Sequence, residues 1–376
     1  MSFRYGSGIN KPGFDPLAAQ TTTYTYELYS WGRNNNGQLG IGSTVDKSSP
    51  NQVGALTDWS KVASGADFTL ATKTDGTLWS WGRNYNGQLG LGNTTSYSSP
   101  KQVGALTAWY KVAGGANFTV ATKTDGTLWS WGQNFYGQLG LNSATYAFSS
   151  PQQVGALTTW STIAAKAVIV LATKTDGTLW SWGRNNQGQL GLGNTTNYSS
   201  PKQVGALTTW LTVSAGSFHS LATKTDGTLW SWGYNAQGQL GLGNTTSYSS
   251  PKQVGALTTW LSIAGGMYNT IAVKTDGTLW SWGANGSGQL GLGNLTNYSS
   301  PKQVGALTTW LNIASGQDHT IATKTDGALW SWGLNTPYGQ LGLGNITNYS
   351  SPKQVGALTT WSVIAAGEFF TIALKY

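Results

Sequence analysis

Apolar and polar residues alternate along two short segments that flank an Asp-Gly pair, and this arrangement recurs along the chain. In Thr69–Thr74 and Thr77–Gly82 the alternation has a period of two, which is typical of β-strands. Asp75 and Gly76 lie between them, and Asp-Gly between alternating segments is a strong hairpin signal that indicates a type I′ turn. We therefore predict one antiparallel hairpin in each copy of the pattern.

The predicted register gives each hairpin a bulky side and a small side. A type I′ turn would pair Leu70 with Trp81 on one side of the sheet. Ala71 and Ser80 would then share the other side. Packing the Trp side of one sheet on the small side of the next would bury both faces, as the blades of a propeller do.

The hairpin belongs to a unit that repeats every 50 residues, with one step of 51. Seven linked copies favour one closed or stacked array over several separate domains. The rest of each unit must contain further short strands, predicted near Lys101–Val103 and Trp109–Ala113, because a structureless loop of that length is improbable in a compact domain. The Trp-Gly pairs that mark the period begin at Trp31, Trp81, Trp131, Trp182, Trp232, Trp282 and Trp332.

The two ends of the repeat region complete each other. Glu27–Gly32 is the second strand of a hairpin without its first strand, and Phe370–Lys375 is a first strand without its second. Pairing them would close the ring and remove exposed sheet edges. The predicted fold is all-β: a seven-bladed β-propeller over residues 23–376, closed by pairing of the N- and C-terminal strands, with an extended N-terminal arm over residues 1–22.

Composition narrows the functional classes. Charged residues make up 9% of the chain and the net charge is +8, yet the excess lysines recur once per repeat instead of forming a stripe, so nucleic-acid binding is not expected. Cysteine is absent, which excludes disulfides and thiolate metal sites. No apolar run has the length of a signal peptide or of a membrane span. We expect a virion location if the chain is phage-encoded, and a cytoplasmic one otherwise.

The repeat resembles a known family. The motif A-x-G-x-x-H/F-x-x-A, followed by D-G-x-L-W-x-W-G-x-N-x-x-G-Q-L-G-x-G, is similar to the regulator of chromosome condensation repeat and covers residues 24–376. The resemblance implies a seven-bladed propeller whose termini share one blade. That family includes a nucleotide exchange factor for a small GTPase, chromatin binders, kinase-associated modules and many bacterial and viral proteins, so the resemblance implies the fold more than the function.

The chain offers little for catalysis. Its two histidines, His219 and His319, occupy a repeat position that holds Phe, Ile or Asn in other units, and the exchange with Phe and Ile leads us to interpret them as packing residues. The Asp-Gly aspartates are interpreted as turn formers, and the recurrent Asn after Trp-Gly as a turn cap. No paired carboxylates or metal-binding motif occur in the sequence. We expect no enzymatic activity, no cofactor and no metal.

The sequence favours a binding face over a catalytic site, because two sets of positions differ between repeats. One set follows each Trp-Gly pair and the other precedes the first strand of each hairpin, and the predicted pairing places both at the same end of the blades, opposite the invariant turns. Neutral drift in exposed loops is the alternative explanation. The candidate partner-binding residues in these positions are Arg33, Arg83, Tyr85, Phe135, Tyr136, Arg184, Phe218, Tyr234, Tyr268 and Phe369.

Lys166 adds one asymmetric candidate to this set, because the six other repeats have Gly there. The N-terminal leader resembles short leaders of bacteriophage structural proteins, which dock a protein onto a particle. Its candidate assembly residues are Phe3, Arg4, Tyr5 and Phe14.

Three functions remain open from the sequence. The first is a non-enzymatic protein-interaction or structural scaffold, attached through the arm to a larger assembly such as a phage particle and presenting the variable face to a partner or host surface. The second is a multivalent glycan-binding lectin. The third is a guanine-nucleotide exchange regulator, which lacks support because no repeat has an insertion beyond one or two residues.

Overall fold

The computed structural model describes residues 25–376, in which the strands form seven four-stranded antiparallel sheets. The N-terminal arm lies outside these residues. No helix long and apolar enough to cross a membrane occurs in the described part of the chain. The strands are β1 (Glu27–Gly32), β2 (Lys47–Gln52), β3 (Trp59–Ser64), β4 (Phe68–Lys73), β5 (Leu78–Gly82), β6 (Tyr97–Gln102), β7 (Trp109–Gly114), β8 (Phe118–Lys123), β9 (Leu128–Gln133), β10 (Ala147–Gln153), β11 (Trp160–Lys166), β12 (Ile169–Lys174), β13 (Leu179–Gly183), β14 (Tyr198–Gln203), β15 (Trp210–Ala215), β16 (His219–Lys224), β17 (Leu229–Gly233), β18 (Tyr248–Gln253), β19 (Trp260–Gly265), β20 (Asn269–Lys274), β21 (Leu279–Gly283), β22 (Tyr298–Gln303), β23 (Trp310–Ser315), β24 (His319–Lys324), β25 (Leu329–Gly333), β26 (Tyr349–Gln354), β27 (Trp361–Ala366) and β28 (Phe370–Lys375).

Each sheet is a blade of the propeller. Within a blade the strands follow chain order, as in β3-β4-β5-β6, and the first strand of one blade contacts the first strand of the next. These first strands therefore lie innermost and surround the central channel. We call β3, β7, β11, β15, β19, β23 and β27 the inner strands.

The ring closes through a blade built from both ends of the chain, as predicted. Its strand order is β2-β1-β28-β27, and the pairing of β1 with β28 runs from Glu27 opposite Lys375 to Gly32 opposite Phe370. The Lys375 ammonium lies 3.0 Å from a Glu27 carboxylate oxygen. Closure leaves no blade with an unpaired middle strand among the described residues.

The predicted hairpin register is wrong by one residue. Thr69 pairs with Trp81 and Leu70 with Ser80, because the loop holds three residues instead of two. The Lys73 amide donates to the Thr77 carbonyl oxygen at 3.0 Å across this loop. A type I′ turn needs positive φ at both central residues, whereas only Gly76 has it here, at +79°.

The corrected register changes which surfaces pack. Trp81 now shares a face with Ala71 and is fully buried against Phe370 and Ile372 of the preceding blade. Its indole N–H donates to the Gln38 carbonyl oxygen at 3.0 Å. The Trp side of each blade thus packs on the large apolar side of its neighbour. Burying about 200 Å² of ring at about 25 cal/mol per Å² gives about 5 kcal/mol per Trp as an upper estimate.

Candidate functional site

The two variable sets lie at one end of the blades, as the sequence indicated. The Arg83 amide donates to the Asp67 carbonyl oxygen at 2.9 Å, and Phe68 pairs with Gly82, so the loops before β4 and after β5 are adjacent. We call this end, with the residues after each Trp-Gly pair and those just before the second strand of each blade, the variable face. The opposite end, which carries the Asp-Gly turns, is the constant face.

A buried asparagine holds each loop of the variable face in place. The Asn84 amide nitrogen donates to the carbonyl oxygens of Asn93 and Thr95 at 3.0 and 2.9 Å, and its side-chain oxygen accepts from the Leu89 amide at 2.9 Å. Its side chain is fully buried. The recurrent Asn is therefore structural, as predicted, and it organises a whole loop instead of capping a single turn.

An arginine patch joins the two ends of the chain. The buried Asp67 carboxylate lies 3.4 Å from Arg33 and 3.6 Å from Arg83. The Arg33 guanidinium also lies 5.4 Å from the centre of the Tyr338 ring and 5.7 Å from that of Phe369. Cation–π contacts and ion pairs orient these side chains within the protein itself.

An aromatic patch occupies another sector. Phe218 stacks on Tyr268 with ring centres 5.2 Å apart and planes 6° from parallel. Tyr234 lies against both rings, at 6.2 and 5.9 Å. Burial, with smaller contributions from Tyr234 and Asp318, raises the pKa of Tyr268. These three side chains come from two adjacent blades and remain partly exposed.

Phe135, Tyr136 and Arg184 form a third patch. Phe135 is 66% exposed and packs edge-on against Tyr136 at 4.8 Å, while the Arg184 guanidinium lies 5.1 Å from the Tyr136 ring centre. Tyr85 is 64% exposed, with Arg83 at 5.2 Å from its ring centre. Tyr85 thus extends the arginine patch, and ten of the candidate residues form three patches around one face.

Lys166, the eleventh candidate, extends across the channel. Its ammonium donates to the carbonyl oxygens of Gly265, Ser315 and Gly316, at 2.8, 2.6 and 3.1 Å. These acceptors belong to β19, β23 and the turn after β23. Burial lowers the pKa of Lys166 to about 8, although the Glu368 and Asp318 carboxylates oppose the shift. The residue is half-buried, and its ammonium group donates to backbone carbonyl oxygens inside the protein.

The neighbouring blades explain why a lysine fits only here. A Cβ atom placed on Gly65 would lie 1.9 Å from a Phe68 ring carbon, and one on Gly115 would lie 1.9 Å from the Phe118 ring. Ile169 replaces that ring in the blade of Lys166, so the Cβ atom has room. The sequence shows both exchanges, but only the contact reveals that they are coupled.

The two histidines are packing residues, as predicted. His219 and His319 are 0% and 1% exposed, and the Nε2 atom of His219 lies 3.0 Å from the Thr270 hydroxyl. Burial, with a smaller effect from Lys166, lowers the pKa of each to about 3. Residues 25–376 contain no group of three His, Cys, Asp or Glu side chains placed to hold a metal ion. The candidate arm residues Phe3, Arg4, Tyr5 and Phe14 fall outside the described range.

Relatives share the repeat and the architecture. Residues 17–266 match the family described as RCC1-like domain, and residues 276–323 and 326–374 match the regulator of chromosome condensation (RCC1) repeat. The chain is 46% identical over 54 residues to the ultraviolet-B receptor UVR8 of Arabidopsis thaliana, a match that spans 14% of this chain and 12% of that protein.

Solved structures agree with the fold. Human WBSCR16 superimposes with a TM-score of 0.84 at 22% identity, covering 93% of this chain and 98% of that one. Prp20p of Saccharomyces cerevisiae, whose structure is described together with its binding to Gsp1p and histones, gives 0.82 at 20% identity and covers 94% and 92%. At these identities the likeness concerns the fold alone. The repeats, the closed ring and the family match together place this chain in the regulator of chromosome condensation (RCC1) repeat family.

Proposed function

We propose that this protein is a non-enzymatic interaction scaffold whose variable face binds a protein partner. The observation that carries the proposal is the contrast between the two ends of the ring. The constant face repeats the same turn chemistry, whereas the variable face gathers different aromatic and arginine side chains on loops fixed by buried asparagines. Aromatic residues and Arg are the types enriched in protein interfaces and their binding hot spots.

Phe135 and Tyr85 are the proposed anchors, because they are the most exposed aromatic rings on this face. Each is supported on one side by a neighbouring ring or guanidinium, which limits the entropy lost on binding. Truncating a hot-spot anchor of this kind to Ala typically costs about 2 kcal/mol or more of binding free energy.

The N-terminal arm supplies the second half of this proposal. Residues 1–22, with Phe3, Arg4, Tyr5 and Phe14, would attach the ring to a larger assembly such as a phage particle, leaving the variable face free for a partner or host surface. Deleting residues 1–20 should abolish assembly and leave the unfolding transition of the ring unchanged. Assembly by the truncated protein would contradict the attachment role.

Site-specific photo-crosslinking tests the variable face directly. A photoreactive phenylalanine analogue at position 85 or 135 should give a discrete adduct in lysate of the native source, while the same analogue at Leu257 on the constant face should give none. Leu257 is a fair control because it is 47% exposed.

Competition then separates recognition from chance contact. Unlabelled wild-type protein should suppress the adduct, and a Tyr85→Ala, Phe135→Ala variant should compete about tenfold less well or worse. Equal competition by that variant, or equal crosslinking from position 257, would show that the face is not the binding surface.

A multivalent lectin is the second candidate, supported by repeated grooves between blades. One groove encloses about 400 Å³ and is lined by Trp280, Leu257 and Pro301, with Gln253 and Ser300 as uncharged polar groups. The equivalent groove of the adjoining blade encloses about 350 Å³. Apolar walls with a few polar groups suit small ligands such as saccharides. Binding of no saccharide on a glycan array would eliminate this candidate.

Guanine-nucleotide exchange is the third candidate, and it follows only from what the family includes. Gsp1p is the partner named for Prp20p, and the present chain shares the fold with that protein. An exchange regulator should accelerate the release of bound guanine nucleotide from candidate small GTPases. Equal release rates with and without this protein would eliminate this candidate.

A further inference from the structure

The wall of the central channel is cationic. The seven inner strands contain three lysines, Lys61, Lys111 and Lys166, and no Asp or Glu. Lys61 and Lys111 occupy the same position in two neighbouring inner strands, β3 and β7, at the third residue. The equivalent residues of the other inner strands are uncharged: Thr162, Thr212, Ser262, Asn312 and Val363.

The two equivalent lysines make the same contact with the next blade. The Lys61 ammonium donates to the Tyr110 carbonyl oxygen at 2.6 Å, and the Lys111 ammonium donates to the Ser161 carbonyl oxygen at 2.7 Å. Both ammonium groups also lie near the Tyr110 ring, at 3.9 and 5.4 Å from its centre. The two ammonium groups therefore lie near the same ring, one at the junction of β3 with β7 and the other at the junction of β7 with β11.

Contact with a carbonyl oxygen does not require a charge at this position. Asn312 donates its side-chain amide to the Ser362 carbonyl oxygen at 3.0 Å and makes the same bridge between β23 and β27. Lysine adds an ammonium with three donors, and within residues 25–376 each of the two ammonium groups donates to one carbonyl oxygen. The hydrogen bond to the carbonyl oxygen therefore does not account for the positive charge of Lys61 and Lys111.

Within residues 25–376, no acidic side chain forms an ion pair with Lys61 or Lys111. The ion pairs of residues 25–376 join Arg33 and Arg83 to Asp67, Lys73 to Asp58 and Lys375 to Glu27. Burial lowers the pKa of Lys111, and burial together with the Lys111 charge lowers the pKa of Lys61 to about 8. Two neighbouring, partly desolvated ammonium groups repel each other when both are charged, and the effect of Lys111 on the pKa of Lys61 reflects that repulsion.

We propose that Lys61 and Lys111 form an anion site in the channel, which binds one small oxyanion such as phosphate between the two ammonium groups. The anion would take the donors that the carbonyl oxygens leave free and would remove the repulsion between the charges. Charge-assisted hydrogen bonds from ammonium to oxyanion are among the stronger ones in proteins. The low dielectric of the channel wall strengthens the attraction further.

Equilibrium dialysis of the full chain against labelled inorganic phosphate at low ionic strength tests the site. Wild-type protein should bind one phosphate per chain. The Lys61→Asn, Lys111→Asn variant keeps an amide donor for each carbonyl oxygen, as Asn312 does, and removes both charges. It should bind phosphate about tenfold more weakly or not at all.

A rim variant and a second pair of substitutions serve as controls. Lys101→Asn removes an exposed lysine outside the channel and should bind as wild type does. If the Asn pair does not fold, Lys61→Thr with Lys111→Thr copies Thr162 and Thr212 and takes its place. The site is refuted if wild type binds no phosphate, or if the channel pair binds as much phosphate as wild type and the rim variant.

Discussion

Lys166 and Ile169 depend on each other, and a double-mutant cycle measures that dependence. In the six other blades a glycine faces the side chain three residues later, which is Phe in three blades, His in two and Asn in one. A Cβ atom on that glycine would lie 1.9 Å from the ring of Phe68 or Phe118, against an ordinary contact of 3.4–4 Å. Ile169→Phe in the presence of Lys166 should therefore force the ring or the strand to move by more than 1 Å.

The expected change in the free energy of unfolding follows from this steric overlap. Overpacking of this kind costs about 1–3 kcal/mol, so Ile169→Phe alone should lower the free energy of unfolding by that amount. After Lys166→Gly the ring has the space that Gly65 gives Phe68, and the same substitution should stabilise the protein by about 0.5–2 kcal/mol through cavity filling. The effect of Ile169→Phe should thus reverse its sign, with a coupling energy of about 1.5–5 kcal/mol.

Urea-induced unfolding of the four proteins, followed by tryptophan fluorescence, measures the cycle. The matched control is Phe118→Ile in the neighbouring blade, where Gly115 is retained. This change should only leave a void, which should lower the free energy of unfolding by about 1 kcal/mol. If the two single changes add within about 0.5 kcal/mol, the steric explanation for Lys166 is refuted.

Three further predictions concern acid sensitivity, turn geometry and ring closure. His219 and His319 have pKa values near 3 when folded and near 6.5 when unfolded, so the unfolded chain binds more protons as pH falls below 6.5. The free energy of unfolding should therefore decrease toward pH 3. His→Phe at both positions should reduce that loss, measured by urea unfolding at about pH 7.5 and about pH 4.5. Gly76→Ala should cost clearly more than Gly104→Ala in the same assay, because both have positive φ but the added Cβ meets a backbone carbonyl oxygen at 1.8 Å only at position 76. Deleting Phe370–Lys375 removes the strand that joins the two ends, and the resulting protein should aggregate in size-exclusion chromatography; a monomer with an unchanged unfolding transition would contradict closure through this blade.

The sequence located the hairpin turn but did not determine the length of its loop. Asp-Gly located the turn correctly, since Asp75 accepts hydrogen bonds from the Thr77 amide and hydroxyl at 2.9 and 2.7 Å. It did not decide between a loop of two and a loop of three residues, because both accommodate Gly76 at positive φ. One residue of slip moves Trp81 from the side of Leu70 to the side of Ala71, so the packing partner changed although the strand was placed correctly.

For the candidate site as well, the sequence indicated the positions of the residues and the structure showed their contacts. Comparison of the repeats found the variable positions, because constancy and variation are visible in the sequence alone. It could not show that Arg33 meets Phe369, which lies at the other end of the chain, or that the Lys166 ammonium turns away from the rim toward Gly265. Side-chain direction depends on neighbours that only the folded ring supplies.

The sequence by itself determined the seven blades, the blade shared by the two termini and the separation of a constant from a variable face, because period, strand alternation and turn residues are local properties. The tertiary structure decided the register between strands, the exchange of Gly for Lys166 opposite Ile169, and the placement of Lys61 beside Lys111 on the channel wall. Those features depend on contacts between residues that are 49 or more positions apart or separated by a turn of undetermined length. The physical reason is that ring closure brings such residues within van der Waals and Coulomb range, and no periodicity along the chain encodes those distances.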